Sequence, residues 1–257
     1  MIDLCVVNYK TPKHLNRLLE TLCRREGNWK LYIADNGGDE ESARVINKHA
    51  EFIEHAVFNE NIGYSAACNQ LASMGDSKYL SLLNADVWMR PEHVEAIEEV
   101  LESDESIAIL GPKQMNERNE IVHAGIIGTN THPAHRGWRV VDHQDTMFKD
   151  RIDCVTVSGS AYFVRRDVWE KLGADPEYRD LFPDALGPFL LTPHYYEETF
   201  CSYFARHRGY RVVYDGTVTI GHSWHASSDV GGSADRMFTV SRDIFRKTCE
   251  HLNIATD

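Results

Sequence analysis

Over the first 112 residues, short apolar runs alternate with segments whose apolar residues recur every three or four positions. The runs are residues 2–7 (IDLCVV), 29–34 (WKLYIA), 52–58, 79–83 and 107–110, the last closed by Gly111-Pro112. Between them, Leu15, Leu18, Leu19 and Leu22 fall at i, i+3, i+4 and i+7, and Val94, Ile97, Val100 and Leu101 fall on one helical face. Thr11 and Pro12 suit the cap and first turn of the first of these helices. Strands alternating with helices predict an α/β fold with a mostly parallel sheet and helices on both sides. In such sheets ligands gather beyond the carboxyl ends of the strands. Asp35 and Asp86 each stand just past a predicted strand, so two acids distant in sequence are expected at one rim.

Beyond residue 112 the pattern loosens. Residues 113–150 carry four histidines, His123, His132, His135 and His143, which read as surface or loop residues. Residues 173–193 contain four prolines and read as a loop. A helix is predicted over 197–208, two strands over 210–214 and 218–220, a Gly-rich stretch at 227–233 and a last helix from 234 to 252.

The net charge of −12 argues against a broad nucleic-acid or anionic-membrane surface, which needs clustered cations. No apolar run approaches the roughly 18–20 residues that span a bilayer, and the first residues lack the pattern of a signal peptide. Six cysteines without a C-x-x-C pair fit reduced thiols, so a cytoplasmic protein is expected.

An acid ending an apolar run needs water, a donor group or a cation. Asp86, in SLLNADVW, could hold an oxygen-loving divalent ion, or could serve as a turn or cap acid. Asp35, before Asn36-Gly37-Gly38, could equally make an Asx turn. Glu197 and Glu198 open a predicted helix, where two acids also suit the helix dipole.

Taken in order, VVNYKT (6–11), ADNG (34–37), NENIGYSAACN (59–69), LLNADV (82–87), VSGSA (157–161), YEE (196–198), RGYRV (208–212) and HSWHASS (222–228) resemble the GT-A glycosyltransferases of family 2, notably the rhamnosyltransferase-like branch. The resemblance covers almost the whole chain. It implies a single GT-A domain, with residues 1–112 as a nucleotide-sugar-binding half and 113–257 as an acceptor and catalytic half. It further implies that Asn8, Thr11, Asp35, Asn61, Gly63, Asn84, Asp86, Gly159 and Arg242 contact the donor. Asp35 would accept from the imide N–H of uracil or thymine. Asp86 would bind the metal as the second acid of a D-x-D element whose first position is here Asn84, with His222 as a further ligand. Glu198 stands for the catalytic base and Glu197 for the acid before it. Phe200 occupies a position where the family often has another acid, and Arg242 would reach the diphosphate behind a closing lid.

The expected activity is therefore inverting, metal-assisted transfer, with Mn²⁺ or Mg²⁺, from a nucleotide-diphosphate sugar. UDP- or dTDP-linked donors are favoured. The acceptor hydroxyl would belong to a glycan, a lipid-linked saccharide or another molecule, a nucleic acid included. A non-catalytic nucleotide-sugar or glycan binder on the same fold is the alternative, kept open by Asn84 and Phe200. A nucleotidyltransferase fits less well, because no glycine-rich basic loop follows the first strand.

Overall fold

The computed structural model describes residues 1–223 and 234–256. The first part of the chain forms β1 (Ile2–Asn8), α1 (Pro12–Leu22), β2 (Trp29–Asp35), α2 (Glu40–Lys48), β3 (Ile53–Phe58), α3 (Tyr64–Ala72), β4 (Tyr79–Asn84), β5 (Val87–Trp88), α4 (Pro91–Ser103) and β6 (Ile107–Met115). The remainder forms β7 (Ile121–His123), β8 (Ile126–Gly128), β9 (Pro133–His135), β10 (Arg151–Asp153), β11 (Ala161–Arg165), α5 (Arg166–Gly173), α6 (Pro176–Leu181), α7 (Glu197–His207), β12 (Arg211–His222) and α8 (Ala234–His251).

The main sheet runs β10-β12-β6-β11-β4-β1-β2-β3, with β5 added to β12 and β7 to β6. Strands β4, β1, β2 and β3 are parallel. Strand β11 is antiparallel to both β4 and β6, and β12 is parallel to β6. The two reversals restore direction, so β6 and β12 point the same way as β1 to β4. The carboxyl ends of six strands and the start of β11 therefore open on one rim.

Side-chain alternation along β1 builds a core on each face of the sheet. Ile2, Leu4 and Val6 pack with Leu15, Leu18, Leu19 and Leu22 of α1. Cys5 and Val7 pack with Ala67, Cys68 and Leu71 of α3. The same second core takes in α5, α7 and α8 through Trp169, Phe200, Phe204 and Phe245. The result is three layers, helix–sheet–helix, as the alternation of elements predicts.

Four expectations need correction. The two strands expected at 210–214 and 218–220 are one strand, β12, whose pairing with β6 shifts register between Asp215 and Thr219. The proline-rich 173–193 stretch is not all loop: Pro176 starts α6, and Asp175 caps it by accepting from the Glu177 and Tyr178 amides. Strand β6 does not close at Gly111-Pro112 but continues to Met115. His123 is not a surface residue; it is buried on β7, whereas His132, His135 and His143 are exposed.

At the opposite end of β1 from the rim, Asp3 is fully buried and accepts from Ser77 N (2.9 Å), Ser77 Oγ (2.6 Å) and Arg166 Nη2 (2.6 Å). Arg166 also donates to the carbonyls of Ser77 and Ala72, tying α5 and α3 to the sheet. Removing one partner of such a pair strands a buried charge. Arg166→Ala is expected to lower unfolding free energy by about 3–5 kcal/mol, measured by urea denaturation against the wild type.

Candidate active site

The rim is built from strand ends in register. Asn8 pairs with Asp35, and Val7 with Asn84. With neighbouring strands about 4.8 Å apart, the ends of β2, β1 and β4 fall within about 10 Å of one another.

Asp35 is fully buried. Its Oδ1 accepts from Asn8 Nδ2 at 3.0 Å, and Asn8 Nδ2 also donates to Ser42 Oγ at 2.8 Å. Its Oδ2 is buried and accepts no hydrogen bond of ordinary geometry among the described residues. Burial pushes the Asp35 pKa up, opposed by the Asn8 amide and the nearby Gly37 N–H. Thr11 stands at the cap position of α1 but does not cap it; its Oγ1 donates to Asn8 Oδ1 at 2.9 Å. Thr11 thus fixes the Asn8 amide, which in turn fixes Asp35.

Asn36 connects this corner to the next. Its side chain donates to Asn61 Oδ1 (3.1 Å) and the Gly63 carbonyl (3.2 Å), and accepts from the Ile62 amide (3.2 Å). Gly63 has φ +87° with open space around its Cα, so the backbone conformation there, rather than crowding, favours glycine. Tyr64 follows, and its hydroxyl donates to the Gly159 carbonyl at 2.9 Å.

Asp86 and His222 meet through an unusual strand pairing. After β4 the chain turns at Ala85-Asp86 and re-enters as β5, which pairs antiparallel with the end of β12, Val87 opposite His222. The Asp86 carbonyl accepts from Ser223 N at 3.0 Å. Asp86 Oδ1 lies 3.4 Å from His222 Nε2, with both residues buried. A carboxylate oxygen beside an imidazole nitrogen is a donor pair suited to a divalent first-row cation. Among the described residues, no group of three or more His, Cys, Asp and Glu could hold a metal unaided. A cation here would complete its shell with oxygens from a ligand or water. Asn84, half-buried, instead donates its backbone N–H to the Ser160 carbonyl at 2.9 Å.

Glu197 and Glu198 open α7. Glu197 is buried and Glu198 half-buried. Thr192 Oγ1 donates to Glu197 Oε2 at 3.3 Å, and Thr199 Oγ1 to Glu198 Oε1 at 3.1 Å. A Cβ on Gly159 would come within 3.0 Å of Glu198 Cγ, so the Ser158–Ser160 turn lies directly against this glutamate. Burial raises both pKa values; for Glu197 the negative charge of Glu198 adds to it, reaching about 8. The corner before the pair is strained, with Tyr195 and Tyr196 at φ +71° and +72°. Tyr196 stacks on Phe245 of α8 (4.9 Å between centroids), so it serves as packing.

The rim thus brings together Asn8, Thr11, Asp35, Asn61, Gly63, Asn84, Asp86, Gly159, Glu198 and His222, with Glu197 just behind. Arg242 is exposed on α8 and pairs with Asp243 at 4.0 Å. The neighbouring Ser241 accepts from His194 N, and Phe238 and Phe245 pack on Tyr196, so this stretch of α8 lies over the glutamate corner. Trp224, His225 and the 227–233 stretch lie outside the described residues. Phe200 belongs to the core, stacked between Tyr178 and Phe204. A separate cavity of about 550 Å³, lined in part by Trp88, His93, Asn116 and Lys149, contains none of Asp35, Asp86, Glu197 and Glu198.

Residues 3–173 match the family described as glycosyl transferase family 2. The chain belongs to that family. No curated protein matches it significantly in sequence. The family 2 chain is similar in structure to TarS residues 1–349 from S. aureus (TM-score 0.61, 10% identity, covering 97% of this chain and 64% of that one). It is similar to GalNAc-T7 solved with UDP, GalNAc and Mn²⁺ (TM-score 0.67, 15% identity, 97% and 47%). It is also similar to a mannosyltransferase from Pyrobaculum calidifontis solved with GDP-Man and Mn²⁺ (TM-score 0.63, 11% identity, 97% and 64%). These likenesses establish the GT-A fold, and the chain spans less than two-thirds of each of those proteins.

Asn36 and Tyr64 were missed as site residues by sequence reading. Both lie within quoted motifs, but nothing in their spacing distinguishes a bridging side chain from an ordinary turn or helix residue.

The raised Glu197 pKa has a consequence for stability. The folded state favours the protonated carboxyl, so no penalty exists below the ordinary carboxylate range. The penalty grows as pH rises towards about 8. Relative to Glu197→Gln, the wild type should lose several degrees of melting temperature between pH 5 and pH 8.5. A constant difference across that range would show a freely ionised Glu197.

Proposed function

We propose that the family 2 domain is an inverting, metal-dependent glycosyltransferase that moves a sugar from a nucleotide diphosphate to an acceptor hydroxyl. The observation that carries this reading is the convergence of Asp35, the Asp86–His222 pair and Glu198 on one rim. The fold likeness to proteins solved with UDP, UDP-GlcNAc or GDP-Man supports it. The sequence motifs favour a UDP- or dTDP-linked hexosyl or deoxyhexosyl donor and the rhamnosyltransferase-like branch. A glycan or lipid-linked saccharide is the acceptor class that fits an acidic chain. No helix among the described residues is long and apolar enough to cross a membrane, and we take the cytoplasm as the place of action.

Asp35 offers its unpartnered oxygen to the imide N–H of the base, in an orientation set by Asn8 and Thr11. Asp86 and His222 would hold Mn²⁺ or Mg²⁺, and the bound ion supplies positive charge to the departing diphosphate. Glu198 takes the proton of the attacking hydroxyl. Its raised pKa strengthens it as a base, while the more buried Glu197 keeps its own proton. The pair then carries one negative charge, located on the residue beside Gly159. Attack opposite the leaving diphosphate inverts the anomeric centre.

Two measurements test this. Glu198→Gln should lower kcat by about 10²–10⁴-fold while thermal stabilisation by the nucleotide sugar with Mn²⁺ persists. Asp86→Ala should abolish the Mn²⁺-dependent part of that stabilisation. Donor binding without turnover in the wild type, across UDP-, dTDP- and GDP-sugars and with saccharide acceptors present, would favour the binding-protein alternative.

A further inference from the structure

We propose that Gln114 determines sugar specificity: its side-chain amide hydrogen-bonds a hydroxyl of the transferred sugar. This rests on the glycosyl-transfer reading and deepens it, because it names a group that reads the sugar and not the nucleotide.

Gln114 is fully buried near the end of β6. Its Oε1 accepts from Ser160 Oγ at 2.7 Å, and its Nε2 is buried with no hydrogen-bond partner among the described residues. Turning the amide over leaves the count unchanged, since one end meets Ser160 and the other meets nothing. A buried amide terminus without a partner is rare and costly in a finished structure. It is explained if a ligand supplies the partner.

Three contacts place this residue. Gln114 is in register with Ile220 of β12, two residues before His222. Its partner Ser160 accepts on its carbonyl from the backbone N–H of Asn84, two residues before Asp86. The neighbouring Gly159 lies against Glu198. Gln114 therefore lies between the candidate metal pair and the candidate base, where the reacting sugar must sit. Strand order excludes the nucleobase. From β2, which carries Asp35, to β6 is four strand spacings, about 19 Å; from β4 it is two, about 10 Å. Base, diphosphate and sugar then follow the rim in order.

The chemistry selects a hydroxyl. A neutral amide suits a neutral group, and a hydroxyl can donate or accept and so satisfies either amide orientation. The support beneath is rigid: Ser160 Oγ bonds Ser158 Oγ at 2.8 Å, and the Ser158 N–H donates to His123 Nε2 at 3.5 Å. Burial, with the nearby His135 and His222, lowers the His123 pKa to about 3, so the ring stays neutral and able to accept.

The test uses Gln114→Met, a near-isosteric change that removes the unpaired group. Calorimetry with Mn²⁺ compares two probes: the nucleotide sugar from a UDP-, dTDP- and GDP-sugar panel that most stabilises the wild type, and the matching free nucleoside diphosphate. The variant should bind the nucleotide sugar about tenfold more weakly, the worth of one hydrogen bond, and the free diphosphate unchanged. Ser160→Ala, which frees the amide's anchored end, should shift the same ratio in the same direction. Equal weakening for both probes, or no change for either, overturns the proposal. A wild type that binds nucleotide sugars without turnover would refute glycosyl transfer yet leave the Gln114 result to be read. A wild type that binds neither probe removes both.

Discussion

A two-residue strand holds the site together. Strand β5 leaves its parent β4 and pairs antiparallel with the far end of β12, more than 130 residues later in sequence, so that Val87 lies opposite His222. That pairing sets a carboxylate from the first half of the chain 3.4 Å from an imidazole of the second. Neither residue could be positioned by its own strand alone. The rest of the sheet makes it possible: β11 reverses direction between β4 and β6, so β12 reaches the rim with the right polarity to meet β5. A long β12 is part of the same requirement. It shifts register between Asp215 and Thr219 without interrupting the strand.

The opposite side of the rim is governed by packing strain. Two successive tyrosines in the left-handed region precede the glutamate pair, an arrangement that costs on the order of 1–3 kcal/mol per residue. It persists because α8 covers it: Phe238 and Phe245 pack against Tyr196, and Ser241 Oγ accepts from His194 N. Helix α8 follows β12 in the chain. The element that fixes the glutamate corner is thus connected, through residues 224–233, to the strand that carries His222.

The architecture was legible because it rests on periodicity. Leu15, Leu18, Leu19 and Leu22 announce a helix face, and the positions of Asp35 and Asp86 after apolar runs announce the rim. The details that failed depend on pairing, which sequence does not display. Pro112 reads as a strand end because it lacks an N–H, yet it sits in β6 opposite Asp215, close to where the partner's register shifts. His123 reads as polar and exposed, but pairing with Gln114 draws it inside. Thr11 has the chemistry of a cap and uses it on Asn8 instead. In each case a local preference gave way to a contact between strands far apart in sequence.

Electrostatics explains why a chain with net charge −12 would need a cation to handle a diphosphate. The buried lysine and arginines among the described residues are Lys113, Arg165 and Arg166, and all three are already engaged. Lys113 is held by Asp142 at 2.7 Å and Asp145 at 2.9 Å. Arg165 donates to the carbonyls of Ile107, Leu101 and Asp104, and Arg166 neutralises Asp3. Releasing any of them would leave a buried charge or several carbonyls unsatisfied, at a cost exceeding what one phosphate contact returns. Exposed cations such as Arg242 act through solvent, where a unit charge at 4 Å is worth only about 1 kcal/mol. A divalent ion held by Asp86 and His222, as proposed, would bring two charges into a low-dielectric corner without dismantling the fold.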